Sequence, residues 1–175
     1  MNMTDTAVVT EMDQLPPPFR GTFTHWSDQR NSIWAPAWRD FHLDQLEPAI
    51  LPWSIVVDVE TGALDFRYRF WGTERTVLIG AEMTGRKISD IDSPQMRDGN
   101  MLEYQEVCRR RQPLLCETPV VTGSGRQAVF QSLRLPLSDD TKTVTHVFSA
   151  INYEQLSTAH YEVYGTVPQS RGWPV

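Results

Sequence analysis

No stretch of this 175-residue chain approaches the roughly 20 consecutive apolar residues that a membrane-spanning helix needs. Its start, Met1 to Thr10, has neither the basic nor the long apolar region of a secretory leader. The expected location is therefore cytoplasmic, with no membrane partner. Cysteine is scarce: Cys108 and Cys116 build neither a disulfide framework nor a metal-site pattern, and their expected role is as buried small hydrophobes. Basic residues are outnumbered, 16 Lys and Arg against 22 Asp and Glu, for a net charge of -6. That balance argues against a surface able to replace phosphate counterions, so no nucleic-acid partner is expected. The four histidines, His25, His42, His146 and His160, never fall at ligand spacing, and no metal site is expected.

What is present is enough to fold. Apolar residues make up 40% of the chain and charged residues 22%, which is globular composition, and the length suits one domain with a real core. Residues 1–20 are polar and end in Pro16-Pro17-Pro18, so they read as a flexible arm. Residues 21–153 read as the domain and 154–175 as a tail assigned to no element. Between Thr24 and Trp34, Thr24 or Ser27 can cap a short helix closed by Pro36; Phe41, Leu43, Leu46 and Ile50 then recur at helical spacing.

At Ile55, Val57 and Val59 the period changes to two, and a strand is expected. Glu60-Thr61-Gly62-Ala63 supplies a turn into a second strand, Leu64-Asp65-Phe66-Arg67-Tyr68-Arg69-Phe70-Trp71, which ends at Gly72-Thr73. Thr73 can cap a short helix stopped by Gly80. Ser93-Pro94 opens a longer helix running to about Arg111, with Met101, Tyr104 and Cys108 on its apolar face. Strands are expected at Leu114 to Val121, Gln127 to Leu135 and Thr143 to Tyr153, the first two joined by a turn at Thr122 to Gly125. Five antiparallel strands with helices on one face place the chain in the α+β class.

Three anchors accompany this order: Leu51-Pro52, Tyr68-Arg69-Phe70-Trp71-Gly72-Thr73, and Gly80-Ala81-Glu82-Met83-Thr84-Gly85-Arg86. Together they resemble a PAS domain, and more narrowly the small bacterial stand-alone PAS family, over roughly Trp34 to Tyr153. The resemblance implies a five-stranded sheet cradling a ligand-sized cavity under the helices, here with an N-terminal helical extension. It implies sensing or protein association and no catalyst. The long helix contains no histidine to match the usual haem ligand, and no Asn-Cys-Arg-type flavin motif occurs, so no cofactor is expected.

The residues themselves build no recognisable active site. Gly123-Ser124-Gly125-Arg126 lies between strands with no helix after it and lacks a phosphate-loop lysine, so it reads as a hairpin turn. Arg109 to Arg111 suit the negative end of a helix dipole. The informative group is aromatic. By alternation Phe66, Tyr68 and Phe70 face the helices, while Arg67, Arg69 and Trp71 face outward, with Arg69 an ion-pairing strut. On the fourth strand Phe130, Ser132 and Arg134 oppose Val129, Gln131, Leu133 and Leu135, so both faces mix polar and apolar groups.

Two causes of that mixing are open. Polar groups could converge in a pocket built from Phe66, Tyr68, Phe70, Tyr104, Cys108, Phe130, Ser132 and Arg134, for an apolar or weakly acidic small molecule. Alternatively, the N-terminal helix or a second subunit covers outer apolar groups, with Trp26, Trp34, Trp38 and Trp71 as the contact residues. The leading expectation is a non-catalytic sensory or signalling interaction module, homodimeric, with an unnamed signalling partner. An adaptor with a filled core and a small cavity enzyme are the alternatives.

Overall fold

The computed structural model describes residues 5–60, 65–121 and 127–155. The expected turns at residues 61–64 and 122–126 and the tail from residue 156 lie outside them. The strands are β1 (Asp5–Val8), β2 (Ser54–Val59), β3 (Phe66–Trp71), β4 (Leu114–Val121), β5 (Gln127–Leu137) and β6 (His146–Ile151). They form one sheet in the order β1-β4-β5-β6-β2-β3, every neighbour antiparallel. The helices are α1 (Pro17–Gln29), α2 (Trp38–Phe41), α3 (Thr73–Ile79) and α4 (Pro94–Arg110), with single 3-10 turns between several of them. The class is α+β, as expected.

The local signals for the later elements act as anticipated. Ser93 caps α4, its hydroxyl accepting from the Met96 N–H, and Pro94 takes the first helical position. Gly80 ends α3 at φ +78, in the left-handed region where a glycine carries no Cβ penalty.

The N-terminal segment departs from the expected flexible arm. Asp5 to Val8 pair with Glu117 to Leu114 as a sixth strand at the sheet edge. Val9 and Leu15 are buried, and α1 begins within the proline run. Pro17 and Pro18 are tolerated there because the first-turn N–H groups of a helix have no intrahelical acceptor. Phe19, Phe23 and Trp26 then follow at steps of four and three on one buried face.

That face fills the outer side of the sheet, so helices cover both sides rather than one. Phe19, Phe23 and Trp26 of α1 and Phe41 of α2 pack with Val56, Leu133, Leu135, Leu137, Phe148 and Ala150. On the other side Tyr104 and Val107 of α4, with Met83, Ile88 and Ile91, pack against Ile55, Val57, Phe66, Tyr68, Leu114, Cys116 and Val147. All six residues of β6 are buried in consequence.

A β-bulge alters the expected faces of β3. Val57 pairs with Tyr68 but Val56 pairs with Phe70, so Arg69 is an extra residue and the alternation shifts after it. Phe70 therefore packs on the outer core and Trp71 enters the inner core, the reverse of the strict period-two reading. Arg69, set on the bulge, ion-pairs with Asp58 as the expected strut.

Candidate functional site

The inner face of the sheet carries one charged side chain in its middle. Arg134 on β5 pairs in register with Leu114 of β4 and Ser149 of β6, and it is 3% exposed. On α4, Asn100, Glu103, Tyr104 and Val107 fall at steps of three, one and three, one stripe of the helix turned to the sheet. The Arg134 guanidinium lies over the Tyr104 ring at 4.0 Å from its centroid. Its Nε donates to Oε2 of Glu103 at 2.7 Å and its Nη1 to the Ser149 hydroxyl at 2.9 Å. Nη2 donates to Asn100 Oδ1 at 3.2 Å and to the same Glu103 Oε2.

The cluster continues beyond the pair. Ser149 donates to the Tyr104 hydroxyl at 3.1 Å, and Thr118 donates to the other Glu103 oxygen at 3.1 Å. Glu103 is itself buried, at 6% exposure. Burial works against the charge on Arg134, but the Glu103 carboxylate beside it leads the opposing effects, which push its pKa above the usual arginine value. Burial, and then the Glu103 charge, push the neighbouring Cys116 thiol up to about 12. Burial also raises the Tyr68 phenol.

Of the residues expected to line a pocket, this arrangement unites several. Tyr104 and Arg134 are at its centre, Ser132 pairs with Cys116 one step along the sheet, and Phe66 packs against the Tyr104 ring at 5.2 Å. Tyr68 stands edge-on to Trp71 at 4.9 Å within the same core. Phe130, half-buried, pairs with Thr118 on the Arg134 face, and Cys108 packs at the core margin with its thiol pushed up to about 12 by burial. Phe70 lies on the opposite side of the sheet. Sequence reasoning missed Asn100, Glu103, Thr118 and Ser149, although Asn100 and Glu103 share the helical stripe of Tyr104.

The four tryptophans expected at an interface separate into two groups. Trp26 is buried in the outer core, its Nε1 donating to the Pro136 carbonyl at 2.8 Å. Trp71 is buried in the inner core, and its Nε1 has no hydrogen-bond partner. Trp34 is half-buried; it donates to the Thr141 carbonyl at 2.7 Å and carries the Arg111 guanidinium on its ring at 5.5 Å. Trp38, also half-buried, stacks on His146 at 5.8 Å, and burial lowers the pKa of that histidine. Two surface concavities of about 270 and 200 Å³ flank Trp38, lined with Arg39, His42 and Leu43 on one side and Ala37, Arg39 and Asp139 on the other.

A family model described as a PAS domain matches residues 15–152. The chain belongs to the PAS domain family. The match begins at Leu15, so α1 lies within it. No curated protein matches the chain. Among solved structures, one titled as an RNA-binding light-oxygen-voltage receptor is similar at 12% sequence identity and a TM-score of 0.45, over 89% of this chain and 40% of that one. The chain thus spans less than half of that structure.

In this PAS domain the Leu-Pro and Gly-Thr anchors are two halves of one contact. The Gly72 N–H donates to the Ser54 carbonyl at 2.8 Å, and a Cβ at Gly72 would lie 2.7 Å from the Leu51 carbonyl oxygen and closer still to the Pro52 carbonyl. Among the described residues, no helix is long and apolar enough to cross a membrane, and no group of three His, Cys, Asp or Glu could hold a metal ion.

Proposed function

We propose that this PAS domain is a non-catalytic sensory module whose small-molecule site is the polar cluster between α4 and the sheet, and that α4 reports occupancy. The observation that carries the reading is Arg134, a cation buried on the inner face of the sheet and bonded to two residues of one helix. An ion pair this deeply desolvated contributes little net stability compared with well-packed apolar residues of similar size, so its presence favours a role in specificity or switching. A change at the guanidinium acts directly on Asn100 and Glu103, and so on the seating of α4.

Hydrogen exchange of the full chain, with and without compounds that raise its melting temperature, tests the reading. Slower exchange in α4 on binding supports it. Compounds that stabilise the chain while leaving α4 exchange unchanged would refute it.

The concavities beside Trp38 favour a second reading, an adaptor with a filled interior that uses its outer surface, with a second copy of the chain as the first partner to test. Trp34 and Trp38 are partly accessible for it, whereas Trp26 and Trp71 are buried within the chain. Light scattering separates the readings: a dimer that Trp38→Ala dissociates supports the adaptor, and a monomer at all concentrations opposes self-association.

A further inference from the structure

We propose that the Arg134 cluster is a carboxylate site, with Glu103 as its resident occupant and the carboxylate of a small amphipathic molecule as the group that exchanges with it. The inference rests on the sensory reading and names the ligand class for that site.

The hydrogen-bond geometry points to exchange. The guanidinium fork offers two parallel N–H groups, and the pairing that uses it fully gives each of them its own carboxylate oxygen. Glu103 does not do so: Nε and Nη2 converge on Oε2 alone, while Oε1 is turned away to the Thr118 hydroxyl. The tether through α4 fixes Glu103 in this one-oxygen approach. A free carboxylate can rotate to satisfy both donors, and the Thr118 hydroxyl, which now donates to Glu103, is placed to donate to it as well.

Charge conservation makes such an exchange feasible. Burying a second carboxylate beside Glu103 would leave one negative charge uncompensated in the interior, at high cost. Replacing Glu103 keeps one cation and one anion buried, and the hydration Glu103 regains at the surface offsets the dehydration of the ligand. Gly99, one turn before Glu103, lies mid-helix, where a glycine makes the helix weaker than an alanine would. Around the cluster Phe66, Tyr104 and Leu114 are buried and apolar, which matches a ligand with a hydrocarbon or aromatic body behind its acid group.

Hexanoate, with hexanamide as its neutral counterpart, provides the test on the full-length chain, read by thermal shift and hydrogen exchange. Glu103→Gln removes the resident charge while keeping shape. It should lower the melting temperature, and hexanoate should restore it and bind at least tenfold more tightly than to the wild type; hexanamide or sodium chloride at equal ionic strength should do neither. Arg134→Met should abolish the hexanoate response. If that variant fails to fold, the Glu103→Gln comparison decides alone.

Equal binding of hexanoate and hexanamide, both slowing exchange in α4, would overturn the carboxylate assignment and leave the sensory reading standing. Hexanoate binding no tighter to Glu103→Gln than to the wild type would also overturn it. Hexanoate binding that leaves α4 exchange unchanged would count against both readings.

Discussion

Gly72 allows a sharp test of why this chain joins Leu51-Pro52 to Gly72-Thr73. A methyl group at residue 72 would meet backbone rather than a yielding side chain: 2.7 Å from the Leu51 carbonyl oxygen and nearer to the Pro52 carbonyl. Neither partner moves freely, because Pro52 is in a 3-10 turn leading into β2 and the Gly72 N–H is bonded to Ser54 at 2.8 Å. Overpacking typically costs about 1 to 3 kcal/mol, and a backbone-to-backbone collision belongs at or above the upper end. Gly72→Ala should therefore destabilise by about 3 kcal/mol and lower the melting temperature by roughly 6 to 12 °C for a chain of this size. Gly99→Ala is the matched control: its Cβ meets nothing and the position is helical, so the exchange should stabilise by about 1 kcal/mol. Urea and thermal unfolding followed by circular dichroism measure both. A Gly72→Ala melting temperature within about 2 °C of the wild type would refute the packing account of the motif.

Trp71→Phe should change stability by less than about 1 kcal/mol despite deep burial, because the lost ring volume is offset by removing an N–H that has no partner; a loss of about 3 kcal/mol in urea unfolding would show that the indole N–H is satisfied. Burial lowers the His146 pKa, opposed by Asp139 and Asp58 and assisted by Arg69, so the folded chain favours neutral imidazole. The stability this contributes is fully present above the unfolded value of about 6.5 and is lost as pH falls below it towards the folded pKa. Wild-type stability should consequently fall more steeply than that of His146→Gln between about pH 7.5 and 5.5, and parallel curves would exclude His146 as the cause. Burial pushes both cysteine thiols up to about 12, so neither should react appreciably with iodoacetamide at pH 8 until the chain is unfolded; rapid native labelling of either would contradict its placement.

Period, caps and breakers made most of the fold legible. Ser93-Pro94, Gly80 and the β-branched run at Ile55 to Val59 act locally, through positions that need only their neighbours in sequence. The failures were non-local. Pro16-Pro17-Pro18 suits a loop as well as a helix start, and α1 is secured by Phe19, Phe23 and Trp26 meeting strands that lie more than 100 residues later. The bulge at Arg69 is likewise invisible to alternation, because it is set by pairing with β2 and by the Arg69–Asp58 contact across it. A single extra residue exchanged the environments of Phe70 and Trp71, one named for the pocket and the other for an interface.

The mixed character of β5 was the most informative sequence signal: polar side chains converge under α4 on one face, and apolar ones are covered by α1 on the other. Leu133, Leu135 and Leu137 face the outer core, where α1 of the same chain covers them, so no second subunit is needed to account for them. Ser132 and Arg134 face α4, and Arg134 is neutralised there by Glu103. What the residues of β5 alone did not reveal is that the counter-charge lies on the long helix, beside a tyrosine already identified as inward-facing. An arginine placed opposite apolar neighbours in the middle of a sheet requires an acid within reach, and Glu103 is the carboxylate next to Tyr104 on the stripe of α4 that faces the sheet. Had that requirement been applied, the helix face of α4 and its register over β5 would have followed together from one charge balance.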